Sequence, residues 1–215
     1  MKRWFGWKLL QHYFNEQTNE MPVHHRLEGG VFRSGEAGVC VYGHFNRNRG
    51  FGVWDYYPGI RQFVTILRDP FEMAVSNYFH GHSQPKPWYR EGRKQRASGA
   101  SLAENLSRLE QTFLLQFFPM ELTLDNWCEH IEEHFIWVGV TEHLQDSLDI
   151  IADKLGKPRR RVPVINTSPR SEEATDQMRQ EFRDRHQLEY EVYEYALQLH
   201  RCEMARRTDE PVEAE

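Results

Sequence analysis

The sequence has few cysteines, no long apolar run and no excess of basic charge. Its 215 residues include three cysteines, Cys40, Cys128 and Cys202, and none belongs to a Cys-x-x-Cys pair. A zinc site or disulfide framework is therefore not expected, and a reducing compartment suits this cysteine content. No apolar run approaches the ~18 residues of a membrane-spanning helix. The chain as given is expected to be soluble and cytoplasmic, with no membrane association encoded in it.

The charge balance argues against a nucleic-acid binder. Lysine and arginine number 27 against 32 aspartates and glutamates, a net charge of −5, whereas nucleic-acid-binding domains are usually basic. Hydrophobic residues make up 39% of the chain and aromatic residues 13%, which is enough for a packed core. This composition and length predict one domain over residues 1–207, followed by a disordered acidic tail over residues 208–215.

Helical and strand patterns alternate along the chain, which is typical of an α/β protein with a parallel sheet flanked by helices. Strands are predicted over residues 39–42, 63–67 and 135–140. Helices are predicted over residues 4–17, 70–80, 101–117, 123–134, 144–155 and 172–206.

The strongest local pattern is the strand at residues 63–67 with the helix after it. Asp69 is a predicted N-cap and Pro70 a predicted first helical residue, where its missing N–H costs nothing. Arg68 lies at the carboxyl end of the strand, where ligands of α/β sheets bind, and a guanidinium can hold a phosphate with paired hydrogen bonds. Ser76 can add a hydroxyl to the same anion. The alternative is that Arg68 pairs with a carboxylate and Ser76 is a surface residue.

Four segments in order resemble the sulfotransferases that use 3′-phosphoadenosine 5′-phosphosulfate (PAPS). Residues 66–78, with the Arg-Asp-Pro triplet, a serine and a tyrosine, resemble the family's 3′-phosphate signature. Gly43-His44-Phe45 resembles a segment of the carbohydrate branch that includes heparan sulfate 2-O-sulfotransferase. Residues 137–142 resemble the family's Val-Gly-x-Thr-Glu step, and residues 164–170 its Asn-x-Ser/Thr loop near the nucleotide. Together these matches span about residues 39–200.

The resemblance implies a P-loop-nucleotide-hydrolase-like parallel sheet and a sulfotransferase that moves a sulfuryl group from PAPS to a hydroxyl, most naturally of a carbohydrate. It implies that His44 is the catalytic base and that no metal is needed. An imidazole suits that role because its pKa lies near neutral pH; the alternative is a hydrogen-bonded structural histidine. The residues that the resemblance implies as nucleotide contacts are Arg68, Ser76, Asn166, Thr167, Ser168 and Arg170.

The long polar stretch after the first of these segments is a candidate acceptor-binding loop, because a loop of this length inside a domain is often a functional lid. An anionic glycan would suit its basic residues; the alternative is a solvated loop. His80 and His82 have the spacing of a metal-ligand pair, but no further ligands accompany them in the sequence, so they are interpreted as residues near the acceptor. The candidate acceptor contacts are His80, His82, Lys86, Arg90 and Arg93.

The sequence departs from the family at its start. The family begins with a strand and a glycine- and lysine-containing phosphate loop that holds the 5′-phosphosulfate, whereas residues 4–17 here resemble the helix that follows the loop. Three explanations are open. The given start lies too far downstream, the protein is a non-catalytic relative of the family, or Lys2 partly replaces the loop lysine. The first is favoured. A missing N-terminal segment would also allow a Golgi membrane anchor. The alternative function is a non-catalytic nucleotide- or glycan-binding protein; a nucleotide kinase or phosphatase is disfavoured because no Walker motif is present.

Overall fold

Two parallel two-stranded sheets and eight α-helices make up the described part of the chain in a computed structural model. The structure describes residues 1–6, 9–13, 15, 18, 20, 39–47, 50–83, 99–110, 112, 114–163 and 170–209. The strands are β1 (Leu9–His12), β2 (Cys40–Gly43), β3 (Phe63–Leu67) and β4 (Phe135–Val140). The helices are α1 (Lys2–Phe5), α2 (Val53–Tyr56), α3 (Pro70–Ser83), α4 (Leu102–Arg108), α5 (Trp127–His134), α6 (Leu144–Lys154), α7 (Asp176–Arg185) and α8 (Gln187–Asp209).

The β3–β4 pair is the better covered of the two sheets. The strands are parallel, with Thr65 opposite Val138 and Leu67 opposite Val140. The last four residues of β4 are buried, and a continuous apolar run of this kind is typical of a parallel strand covered on both faces. The predicted strands at 63–67 and 135–140 are therefore confirmed.

The corner after β3 forms as its sequence predicts. Pro70 is the first residue of α3, and the Asp69 carboxylate accepts a hydrogen bond from the Glu72 amide at 2.8 Å, as an N-cap does. The helix continues to Ser83, three residues beyond the predicted end. The capping box of α4 is also confirmed, because Ser101 and Glu104 each bind the other's backbone amide.

A glycine sets the contact between β4 and α6. A Cβ on Gly139 would lie 2.6 Å from the Ser147 Cβ, so only glycine allows the helix to approach the strand this closely. The Ser147 hydroxyl accepts a hydrogen bond from the Val140 amide and donates one to its carbonyl. Gly156, with φ of 60°, follows the end of α6, as the sequence predicts.

The main core lies where α3, α4, α7 and α8 pack around β3 and β4. Phe71, Phe182, Leu102, Val140 and Val192 are fully buried there. Phe71 and Phe182 meet edge to face, with ring centroids 5.7 Å apart. Each such side chain contributes about 1.5–3 kcal/mol through its removal from water.

The predicted helix over residues 4–17 is wrong. Helix α1 ends at Phe5, and Gly6 adopts a φ of 54°, in the left-handed region that ends helices. Strand β1 follows and pairs in parallel with β2, with His12 opposite Gly43. His12 is fully buried and shares a hydrogen bond with the Tyr57 hydroxyl. Tertiary contacts of β1 therefore override its helical periodicity.

The predicted helix over residues 101–117 is too long. Helix α4 ends at Arg108, where Leu109 is extended and Arg185 donates to the carbonyls of Leu106 and Ser107 in the last turn. A short 3₁₀ turn at Leu115–Phe117 follows. The predicted helix over 123–134 forms only from Trp127, since the segment from Thr123 to Asn126 is a turn.

The single predicted helix over residues 172–206 is two helices. They are separated at His186, whose backbone is non-helical (φ −114°, ψ 44°). Its ring is buried, stacks on Phe182 and contacts the Glu189 carboxylate. Helix α8 extends through the first two residues of the predicted tail, to Asp209, and the rest of that tail lies outside the described residues. Among the helices that the structure describes, none combines the length and apolarity needed to cross a bilayer.

Candidate functional site at the carboxyl ends of the strands

The carboxyl ends of β3 and β4 are tied together by side chains that follow β4. The Thr141 hydroxyl donates to the Leu67 carbonyl at 2.7 Å, and the Glu142 carboxylate accepts from the Asp69 amide at 3.0 Å. These two contacts fix the backbone on both sides of Arg68. The Val-Gly-x-Thr-Glu pattern therefore has a structural role here: its glycine seats α6, and its threonine and glutamate hold the corner after β3.

Arg68 is the least engaged of three arginines around Glu72. The Glu72 carboxylate lies 2.6 Å from Arg170, is bound directly by Arg179, and lies 3.9 Å from the Arg68 guanidinium. Burial alone would raise the pKa of Glu72, but hydrogen bonds from Arg170 and Arg179 outweigh it and lower that pKa below its ordinary value. Glu72 is therefore saturated by the other two arginines, and Arg68, with 34% of its side chain exposed, keeps donors for an incoming anion.

Arg179 is a member of this cluster that the sequence did not indicate. It comes from α7, bonds Asp69 at 3.2 Å as well as Glu72, and lies over the Phe71 ring at 4.4 Å. Burial alone would lower its pKa, but these carboxylates raise it. Arg179 lies more than 100 residues from Asp69 in the chain, so no local pattern reveals their contact.

Glu142 has a second contact, the Tyr193 hydroxyl of α8. Burial, and then the Glu142 carboxylate, raise the pKa of Tyr193, which keeps this phenol protonated as a donor. Glu142 therefore joins the strand corner to α8 and is not free to bind a ligand.

A cavity of about 900 Å³ opens beside Arg68. Its walls include all five residues of β3, so the edge of β3 that β4 does not occupy faces this space. Polar or charged groups at the wall include Arg61, Gln62, Thr65, Arg68 and Thr141, and strand β2 also lines the cavity. A volume of this size is typical of a small-molecule site.

The structure brings some of the predicted nucleotide contacts to this cavity and not others. Arg68 lines it. Ser76 is half-buried on α3 and does not line it, although Met73, one turn earlier on the same helix face, does. Arg170 lies beside Arg68, bound to Glu72. Asn166, Thr167 and Ser168 lie outside the described residues.

His44 follows β2 and is exposed. Its amide donates to the His12 carbonyl at 2.8 Å, and its ring contacts Tyr13 with centroids 5.2 Å apart. Its neighbours Gly43 and Phe45 line the cavity, whereas the His44 side chain is not part of the wall. Gly43 is required at this point, since a Cβ there would lie 2.1 Å from the His12 carbonyl oxygen.

Most predicted acceptor contacts lie outside the described residues. These are Lys86, Arg90 and Arg93, together with the side chain of His82, whose backbone is in the last turn of α3. His80 is exposed on the same helix.

Comparisons with protein-family models, with curated proteins and with solved structures found no match for this chain. The fold and site thus define an α/β protein whose arginine-bearing strand end opens onto a large cavity.

Proposed function

We propose that the chain binds PAPS through its 3′-phosphate at Arg68 and moves the sulfuryl group to a hydroxyl, with a carbohydrate as the preferred acceptor. In this proposal the two parallel strand pairs are parts of a P-loop-nucleotide-hydrolase-like sheet. The observation that carries the proposal is the position of Arg68: it follows the parallel strand β3, precedes a capped helix, borders the cavity and is only loosely paired with Glu72.

The physical argument rests on competition for Arg68. Its contact with Glu72 is 3.9 Å long and partly exposed, and such an ion pair is worth only about 0–1 kcal/mol. A phosphate that accepts two parallel hydrogen bonds from the guanidinium replaces this contact at little cost. Arg179 stays on Glu72 and Asp69, so it holds the corner in place when Arg68 turns.

The remaining assignments follow from the proposed chemistry. The acceptor oxygen attacks sulfur, the bond from sulfur to the 5′-phosphate oxygen breaks, and adenosine 3′,5′-bisphosphate leaves. The acceptor proton passes to His44, at the carboxyl end of β2. Ser76, Arg170 and the Asn166–Ser168 segment are further proposed nucleotide contacts. His80, His82, Lys86, Arg90 and Arg93 are proposed on the acceptor side.

One observation favours the alternative of a non-catalytic binding protein. A strand, β1, does precede β2, yet residues 13–17 after it are Tyr-Phe-Asn-Glu-Gln and contain neither the glycine nor the lysine of a phosphate loop. Lys2, which would be a partial substitute for the phosphate-loop lysine, is exposed in α1. In this alternative Arg68 binds the 3′-phosphate and no sulfuryl transfer follows.

Binding of adenosine 3′,5′-bisphosphate tests the site. A ligand at a hundredfold excess over its Kd raises the melting temperature by about 5–10 °C in a chain of this size. Arg68→Ala is expected to abolish the shift, and Arg68→Lys to weaken it because lysine cannot form the paired contact. Arg206→Ala, which removes an exposed arginine on α8, is the matched control and should keep the full shift. No shift in the unaltered chain would refute the nucleotide site.

Transfer of labelled sulfate from PAPS to glycosaminoglycan acceptors separates the two functions. Transfer that is lost in His44→Ala supports the enzyme. Binding of the bisphosphate with no transfer to any acceptor supports the binding protein.

A further inference from the structure

A second polar cluster lies just after β4, between α6 and α8. It consists of His143, the N-cap residue of α6, Asp146 in the first turn of that helix, and His200 of α8. One ligand atom from each residue lies within 4.8 Å of the other two. The rings of His143 and His200 stack with their centroids 4.5 Å apart and 14° between their planes.

His200 is buried, with 4% of the residue exposed, and no described residue forms a hydrogen bond with its Nδ1. Its Nε2 faces the Asp146 carboxylate at 4.0 Å, which is beyond hydrogen-bond distance. A buried imidazole normally has partners. Here the His200 Nε2 faces a carboxylate beyond hydrogen-bond distance and a second imidazole lies beside it, so the three side chains offer a donor set with room for a cation.

We propose that His143, Asp146 and His200 bind a divalent transition-metal ion such as Zn²⁺. Two imidazoles and one carboxylate favour ions of this class over Mg²⁺ and Ca²⁺, which take oxygen ligands. Ligand distances near 2.0–2.1 Å place two donor atoms of a tetrahedral ion about 3.3 Å apart. The present arrangement must therefore close by about 1.5 Å.

The two ligands on α6 can make that movement. His143 is exposed, and 45% of the Asp146 side chain is exposed, so both can turn towards the fixed ring of His200. Arg207, whose charge acts on His200, is held by Asp153 at 2.8 Å and by Glu203 at 3.1 Å, so its charge is compensated. The bound ion would connect α6 to α8 and leave one position open to water or another ligand.

His143 and His200 are 57 positions apart, so no local pattern in the sequence indicates this cluster. The expectation that no metal is needed concerns the PAPS chemistry alone. The proposal is independent of the PAPS site, because it shares no residue with Arg68, Ser76 or His44. Failure of either proposal therefore leaves the other intact.

Calorimetric titration of the full chain with Zn²⁺ tests the proposal. One site per chain is expected, with a rise in melting temperature of about 5–10 °C at a hundredfold excess of free ion over Kd. His143→Ala should weaken binding at least tenfold without unfolding the chain, because this side chain is exposed. Asp146→Asn should weaken it less, since an amide oxygen remains but the charge is lost.

Asp176→Asn is the matched control for Asp146→Asn, because it removes an exposed carboxylate from the first turn of α7, and it should leave the affinity unchanged. Co²⁺ gives a second measurement: its visible absorption should indicate nitrogen and oxygen ligands, without the thiolate bands that Cys128 or Cys202 would give. Zinc affinity that is equal in His143→Ala and the unaltered chain would show adventitious binding only and overturn the proposal.

Discussion

The half of the molecule around β3 and β4 differs from the half around β1 and β2 in how completely its strands are covered. β4 ends in four buried residues and packs with β3 into the main core. β2 has no buried residue, its Tyr42 is 46% exposed, and its small cluster is Phe45, Val53 and Tyr57. A strand that is buried on both faces is stabilised by apolar burial in general. A strand that is partly exposed depends on its contacts with the particular residues opposite it.

Removal of one large core side chain from each half should show the largest difference. Phe71→Ala, at a fully buried ring, should lower the free energy of unfolding by about 3–5 kcal/mol. Phe45→Ala should cost about half as much, because the smaller cluster can open locally. Phe117→Ala, at a ring 49% exposed, should stay within about 0.5 kcal/mol. Denaturant unfolding measures all three, and equal costs for Phe71→Ala and Phe45→Ala would mean that the two halves unfold as one unit.

Alanine substitutions at Gly139 and Gly43, where close contacts exclude a Cβ, give the next largest expected effect. Gly139→Ala forces a Cβ against Ser147 and should cost about 1–3 kcal/mol of global stability. Gly43→Ala forces a Cβ against the His12 carbonyl, and should instead speed amide hydrogen exchange in β1 and β2 while β3 and β4 stay protected. Gly59→Ala, where no atom of the described residues lies within 4 Å of the added Cβ, is the neutral control. Faster exchange in all four strands of Gly43→Ala would contradict the comparison.

The smallest expected effect concerns the polar contact that separates α7 from α8. Burial alone would raise the pKa of Glu189, but hydrogen bonds from His186 and from the Thr112 amide lower it. A lowered carboxyl pKa stabilises the fold above the unfolded-state pKa of about 4.3, and this contribution is lost as pH falls through the folded-state pKa. Glu189→Gln should therefore cost about 1–2 kcal/mol at pH 7. The two unfolding curves should converge as the pH falls through the lowered folded-state pKa of Glu189, and a difference independent of pH would exclude the carboxylate as its source.

The β3–β4 half was predictable because its signals are local. The apolar run of β3, the N-cap at Asp69, Pro70 at the first helical position and Gly156 after α6 each act within a few residues. The candidate anion site was predictable only in part. The position of Arg68 at the end of a strand can be read from the sequence. Its loose ion pair with Glu72 cannot, because that depends on Arg179, which comes from a distant helix.

The sequence by itself determined the α/β class, the strands at the core and the corner that presents Arg68, because short-range periodicity and capping suffice for these. The tertiary structure alone decided that residues 9–12 form a strand and that the last long helix breaks at His186. It also decided that His143 meets His200. In β1 the pairing with a distant strand outweighs a local helical preference of only a few tenths of a kcal/mol per residue. At His186 the burial of the ring and the distant Thr112 amide on Glu189 accompany the break, and the approach of His143 to His200 depends on the packing of two helices that no local pattern specifies.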